Sequence, residues 1–148
     1  MRRIVRWSVR IFALLFVAIQ LVRPARTNPV HDPAHALPAL RPIPSHVVQV
    51  LDRACRDCHS NDTRWPWYSN LAPVSWFVID HVNHGRSHFN YSEWNRYEAA
   101  EATRLLKNAC DLAREQAMPL TSYTWIHRTA RLSKDDIEAV CLLSRATE

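Results

Sequence analysis

A single glycine, Gly85, serves a chain of 148 residues that also carries nine prolines. Tight hairpins and other positive-φ turns depend on glycine, so this scarcity argues against a turn-rich β protein. It also removes the glycine-rich phosphate cradles: neither GxGxxG nor GxxxxGK[ST] occurs, which excludes nucleotide binding by those routes. No stretch shows sustained strand alternation and no internal repeat is visible. The fold class expected is all-α.

The formal net charge is +5, a balance that can signal a polyphosphate partner. Its distribution points elsewhere. Arg2, Arg3, Arg6, Arg10, Arg23 and Arg26 fall in the first 26 residues, where no acid stands. Those six of the 19 basic residues leave 13 against 14 acidic ones. The remainder therefore has no polybasic footprint, and no nucleic-acid partner is expected.

The arginines precede an uncharged apolar run, Ile11 to Val22. A basic start followed by such a run is an export signal. Twelve residues at about 1.5 Å each span roughly 18 Å, short of the ~30 Å hydrocarbon core. Ile4, Val5, Trp7 and Val9 extend the run, and Arg6 and Arg10 can snorkel. No small-x-small cleavage site follows. Residues 1–23 are therefore expected to be an uncleaved N-in membrane anchor, with a cleaved signal as the alternative. Either reading places the rest in the periplasm or its equivalent. Residues 24–44 hold six prolines, a density that predicts no helix but an extended, semi-rigid linker, with His31 and His35 as solvated linker histidines.

Residues 45–148 read as one helical domain. Ser45 can cap a helix carrying Val47, Val50, Leu51 and Ala54. Residues 60–72 form an aromatic-rich loop. Pro73 fits the first turn of a second helix that Gly85 ends. Ser92 opens a long helix over about 93–115, and Ser133 to Asp136 resembles a capping box ahead of a last helix with Ile137, Val140 and Leu143.

Four cysteines divide into two pairs. Cys55-Arg56-Asp57-Cys58-His59 has the C-x-x-C-H spacing of covalent c-type haem attachment. Two thiols three residues apart on one turn reach two vinyl groups on one porphyrin edge, and the next residue offers its imidazole to the iron. A zinc site fits less well, because Cys58 and His59 are adjacent and no second spaced pair exists. A thioredoxin-like redox motif needs a βαβ context that is missing. Ordinary structural cysteines are the bland reading. Cys110 and Cys141 can form a disulfide in an oxidising compartment or remain two buried thiols.

Met118 is the one methionine besides the initiator. It precedes Pro119 in a loop and is the expected distal iron ligand; packing as a core filler is the alternative. His127, His81, His84 and His88 are rival ligands. Trp65, Trp67, Tyr68, Trp76, Phe77, Trp94 and Tyr97 are dense enough to wall a flat cofactor. Arg64 and Arg86 can pair with haem propionates or simply meet solvent.

The run from Cys55 to Ser69, Ala72-Pro73-Val74-Ser75-Trp76, His81-Val82-Asn83-His84-Gly85-Arg86, Asn90-Tyr91-Ser92-Glu93-Trp94, Met118-Pro119 and Ala130-Arg131-Leu132-Ser133 resemble the bacterial haem-binding domain family with a CxxCH motif. Ile19-Gln20-Leu21-Val22-Arg23-Pro24 and Thr27-Asn28-Pro29 are similar to its N-terminal segment. The resemblance implies a membrane-anchored, cytochrome c-like haem domain at the bacterial inner membrane, with haem ligand roles on Cys55, Cys58 and His59 and Met118 as the matching distal candidate. It implies no reaction. The chain departs from the pattern at Glu115-Gln116-Ala117, where a glycine commonly precedes Met-Pro, and near Ser144, where a tryptophan commonly ends the last helix.

The expectation is a covalent haem c protein with His/Met ligation: an electron-transfer module facing the periplasm, served by an unidentified redox protein partner, an electron carrier more than an enzyme. The alternatives are a haem-based sensor or peroxidase-like enzyme with an open sixth site, His127 or His81 acting as acid–base groups, and a non-haem interaction domain closed by a disulfide.

Overall fold

The computed structural model describes residues 1–145, so the last three residues of the expected domain lie outside the description. Every regular element among the described residues is helical. The α-helices are α1 (Arg2–Ile19), α2 (Leu37–Leu40), α3 (Ser45–Ala54), α4 (Arg56–His59), α5 (Val74–His88), α6 (Ala99–Arg114), α7 (Thr121–Ile126) and α8 (Lys134–Arg145). Short 3-10 turns occupy Pro33–His35, Trp67–Asn70, Tyr91–Arg96 and Arg128–Ala130. The core gathers Val47, Val50 and Leu51 from α3, Leu106 and Ala113 from α6, and Ala139, Val140 and Leu143 from α8, closed by Leu37 and Trp94.

The expected membrane-spanning anchor is not supported. No described helix is long and apolar enough to cross a membrane. The N-terminal helix has 18 residues and carries Arg2, Arg3, Arg6 and Arg10, charges that interrupt its first half. None of its residues is buried. The chain after it docks on the helical body: Gln20 exchanges two hydrogen bonds with the Ala72 backbone, at 2.9 and 3.1 Å, and Trp76 Nε1 donates to the Val22 carbonyl at 2.8 Å.

The proline-rich stretch also departs from expectation. Proline is tolerated in a first helical turn, and Pro33 and Pro38 sit there in a 3-10 turn and in α2. Leu37 is fully buried. His31 is not solvated; it pairs with Asp62 at 3.5 Å.

Within residues 45–145, Ser45 is the first residue of α3 rather than its cap. The second helix runs through Gly85 and ends at His88. The expected long helix breaks in two. Glu93 leaves helical geometry, with its carboxylate accepting from Asn61 Nδ2 at 2.8 Å, and buried Trp94 turns into the core. Helix α6 then restarts at Ala99. The capping box before α8 is present: the Asp136 N–H donates to Ser133 Oγ at 3.2 Å while Asp136 Oδ2 accepts the Ser133 N–H at 2.8 Å. Cys110 and Cys141 are joined, tying α6 to α8.

Candidate functional site

The C-x-x-C-H motif forms a single turn. The Cys55 carbonyl accepts from the Cys58 N–H at 3.2 Å and from the His59 N–H at 2.9 Å. Cys55 itself is the joint between α3 and α4. The i,i+3 spacing puts both thiols on one side of that turn. Neither sulfur is bonded. Burial pushes the Cys55 thiol up to about 12 and Cys58 up to about 11, with Cys58 and Asp57 respectively adding to the shift. The thioredoxin-like alternative lacks its setting, since every regular element among the described residues is helical and no βαβ unit surrounds the motif.

His59 is oriented from behind. Its Nδ1 lies 2.9 Å from the Phe89 carbonyl and 3.1 Å from that of Gly85. Carbonyls only accept, so Nδ1 carries the proton and Nε2 keeps its lone pair. Burial lowers the imidazole's proton affinity, partly offset by those two carbonyls. A neutral ring with a fixed tautomer is the state a metal-ligating histidine needs.

Two features brace this turn. Gly85 packs against it so closely that an added Cβ would meet the Cys58 carbonyl oxygen at 2.5 Å. A buried polar network grips the chain beyond His59. Arg86 Nε donates to the Ser60 carbonyl at 2.8 Å, and Asn61 bonds Ser92 Oγ through its N–H and Asn90 through Oδ1. No buried side-chain polar atom among the described residues lacks a partner, so the network rigidifies the loop at little desolvation cost.

The motif faces a cavity of about 590 Å³. Cys55, Cys58 and His59 line one side, together with His81, His84 and His88 of α5. Leu105, Leu106, Ala109 and Leu112 of α6 give it an apolar wall, Met118, Pro119 and Leu120 line it from the α6–α7 connection, and Tyr123 lines it from α7. Arg104 is the arginine on its lining. The structure thus brings together Cys55, Cys58, His59 and Met118, although 59 residues separate the last two. A smaller cavity of about 330 Å³ involves His31, Asp52, Arg56 and Asp62, whose ionic groups pair with one another.

Several expected site residues stand elsewhere. His127 bonds Tyr68 Oη at 2.6 Å and stacks on Tyr123; it is not on the cavity lining. Arg86 spends its guanidinium on Ser60, Thr27, Asn28 and Thr63. Arg64 turns to Asp52 and Asp57. Neither arginine lines the cavity. Trp67 is largely exposed. Tyr123 and Arg104 were missed, because neither belongs to a motif and only the folded chain places them here.

The helix end before Met118 explains a departure in the sequence. Gln116 has φ of 56°, the left-handed conformation that glycine adopts without strain. The Ala117 and Met118 N–H groups then both donate to the Leu112 carbonyl, at 2.9 and 3.2 Å. The turn that brings Met118 to the cavity is therefore made without glycine.

A family model described as a haem-binding domain matches residues 14–144. No curated protein matches, and no solved structure does. The residues present fit a haem. The cavity lies in the range of small-molecule and cofactor sites and is mainly apolar, and it presents a tautomer-fixed imidazole with a thioether sulfur on the same lining.

Proposed function

We propose that this chain, which belongs to the haem-binding domain family, holds one haem c through thioether bonds at Cys55 and Cys58, with His59 as proximal and Met118 as distal ligand, and serves as a periplasm-facing electron-transfer module. The observation carrying this reading is the convergence of those four side chains on one cavity. When bound, the haem supplies a one-electron ferrous/ferric couple. The chain's own residues do the rest. Cys55 and Cys58 fix the cofactor's edge, the Phe89 and Gly85 carbonyls hold the His59 ring, and the α6 leucines exclude water. A His/Met pair raises the potential relative to bis-His ligation. Cytochrome c-like electron transfer requires no substrate pocket beyond this one.

Helix α1 is the targeting segment in this reading. Its exposed apolar residues and arginines suit the surface of the cytoplasmic membrane, where it lies unless cleavage removes it. A Cys110–Cys141 disulfide suits the oxidising side of that membrane. The redox partner is a protein that docks there.

Substitution Met118→Ala tests the ligation. The variant is expected to keep its covalent haem, lose the near-infrared His/Met signature, bind carbon monoxide readily and fall in potential. Persistence of the signature removes Met118 from the iron. Carbon monoxide binding to the parent protein without ligand loss favours instead the open-site sensor or peroxidase reading, which the His81, His84 and His88 stripe on the cavity lining would then serve.

A further inference from the structure

Helix α7 has six residues, too few to be stable alone, so its position depends on what it touches. It follows Met118, Pro119 and Leu120 directly. Tyr123 lines the cavity, and its hydroxyl donates to Asp57 Oδ2 at 2.8 Å. Asp57 is the residue before Cys58, and its side chain is 13% exposed. Its other oxygen accepts the Arg64 N–H at 3.1 Å. The Tyr123 ring stacks on His127 at 4.3 Å and 18°. His127 in turn meets Tyr68. Further along, Arg53 Nη1 donates to the Thr129 carbonyl at 2.6 Å. Of these bridges, Tyr123–Asp57 is the one that joins the attachment turn itself to the cavity lining five residues from Met118.

We infer that Asp57 and Tyr123 form a latch, a positioning pair that seats the Met118 loop over the cavity and so controls whether small exogenous ligands enter on the distal side. The inference rests on the proposed His/Met reading and adds two residues that act through Met118 rather than on the iron. Tyr123→Phe keeps the ring, its stacking and its place on the cavity lining; it removes one oxygen. Asp57→Ala removes the other half of the latch.

The test uses full-length ferric holoprotein at 25 °C, parent against Tyr123→Phe, Asp57→Ala and the double variant. The near-infrared methionine signature, the cyanide association rate and the thermal midpoint are recorded for each. Expected is a rise in cyanide association of threefold or more in each single variant, a weakened methionine signature, retained covalent haem, and no further rise in the double variant. A rate changed by less than threefold, with or without a lower thermal midpoint, overturns the latch and leaves a structural bond only. A double variant whose rise is the product of the single ones overturns the direct pairing. A parent protein that lacks the methionine signature and takes cyanide at once overturns the ligation reading and the latch together; an intact parent signature with an unresponsive Tyr123→Phe overturns the latch alone.

Discussion

A methyl group on Gly85 would meet the Cys58 carbonyl carbon and Cβ at 3.1 Å as well as the carbonyl oxygen at 2.5 Å. Backbone atoms in a hydrogen-bonded turn cannot swing aside, so α5 must retreat from the motif. Gly85→Ala is expected to cost about 1–3 kcal/mol, the usual range for overpacking, read by denaturant unfolding, and to lower the fraction of chains carrying haem. Gln116 presents the opposite case. Its left-handed φ carries a Cβ penalty of roughly 1–2 kcal/mol, offset in part by glycine's greater freedom when unfolded. Gln116→Gly should therefore stabilise the protein by about 0.5–1 kcal/mol in the same measurement. Both positions were visible in the sequence as features, a sole glycine and a missing one. In the sequence Gly85 looks like a helix end, because a stop signal and a close-approach site look alike until the partner, here the Cys58 backbone, is known.

At the level of elements, the start of α8 is held by Arg53. Its guanidinium bonds Asp136 and the carbonyls of Thr129 and Arg131. That bond, aided by Ser133, holds the Asp136 carboxyl down at about 2. The folded value lies below the unfolded one near 3.8, so the contribution to stability is complete above the unfolded value and is lost as pH falls through the folded one. Stability should decline between about pH 4 and pH 2, and Asp136→Asn should flatten that part of the profile in acid titrations of unfolding. Local chemistry made this element legible: Ser133 and Asp136 form a recognisable cap. The break near Tyr97 was not legible, because residues 93–115 have good helical composition. What interrupts them is tertiary, namely Trp94 entering the core and Glu93 reaching Asn61. The proline-rich stretch hides its structure for a related reason. Leu37 has no periodic neighbours, and only the core shows that it is buried.

For the molecule as a whole, the candidate site is legible in the sequence where its residues are neighbours and illegible where the fold assembles them. Cys55, Cys58 and His59 sit within five residues, so their spacing alone carried meaning. Met118 was singled out by rarity, and the fold places it on the same cavity. Arg64 and Arg86 carry the charge that a propionate would need, yet Arg64 turns to Asp52 and Asp57 in α3 and α4, and Arg86 to Thr27, Asn28, Ser60 and Thr63. Tyr123 carried no signal, since its role arises from a contact with Asp57 across 66 residues. The transmembrane expectation weighed the apolar run above the four arginines that share α1 with it.

The proposed function stands or falls on covalent haem at Cys55 and Cys58. The most direct measurement is the alkaline pyridine haemochrome spectrum of the purified protein after denaturation and acid–organic extraction. The expected result is haem that stays with the polypeptide, at one per chain, and shows the blue-shifted band of a porphyrin whose two vinyl groups have become thioethers. Haem that leaves with the solvent and shows an unmodified vinyl spectrum would contradict it, as would a haem-free protein from cells with a working attachment system.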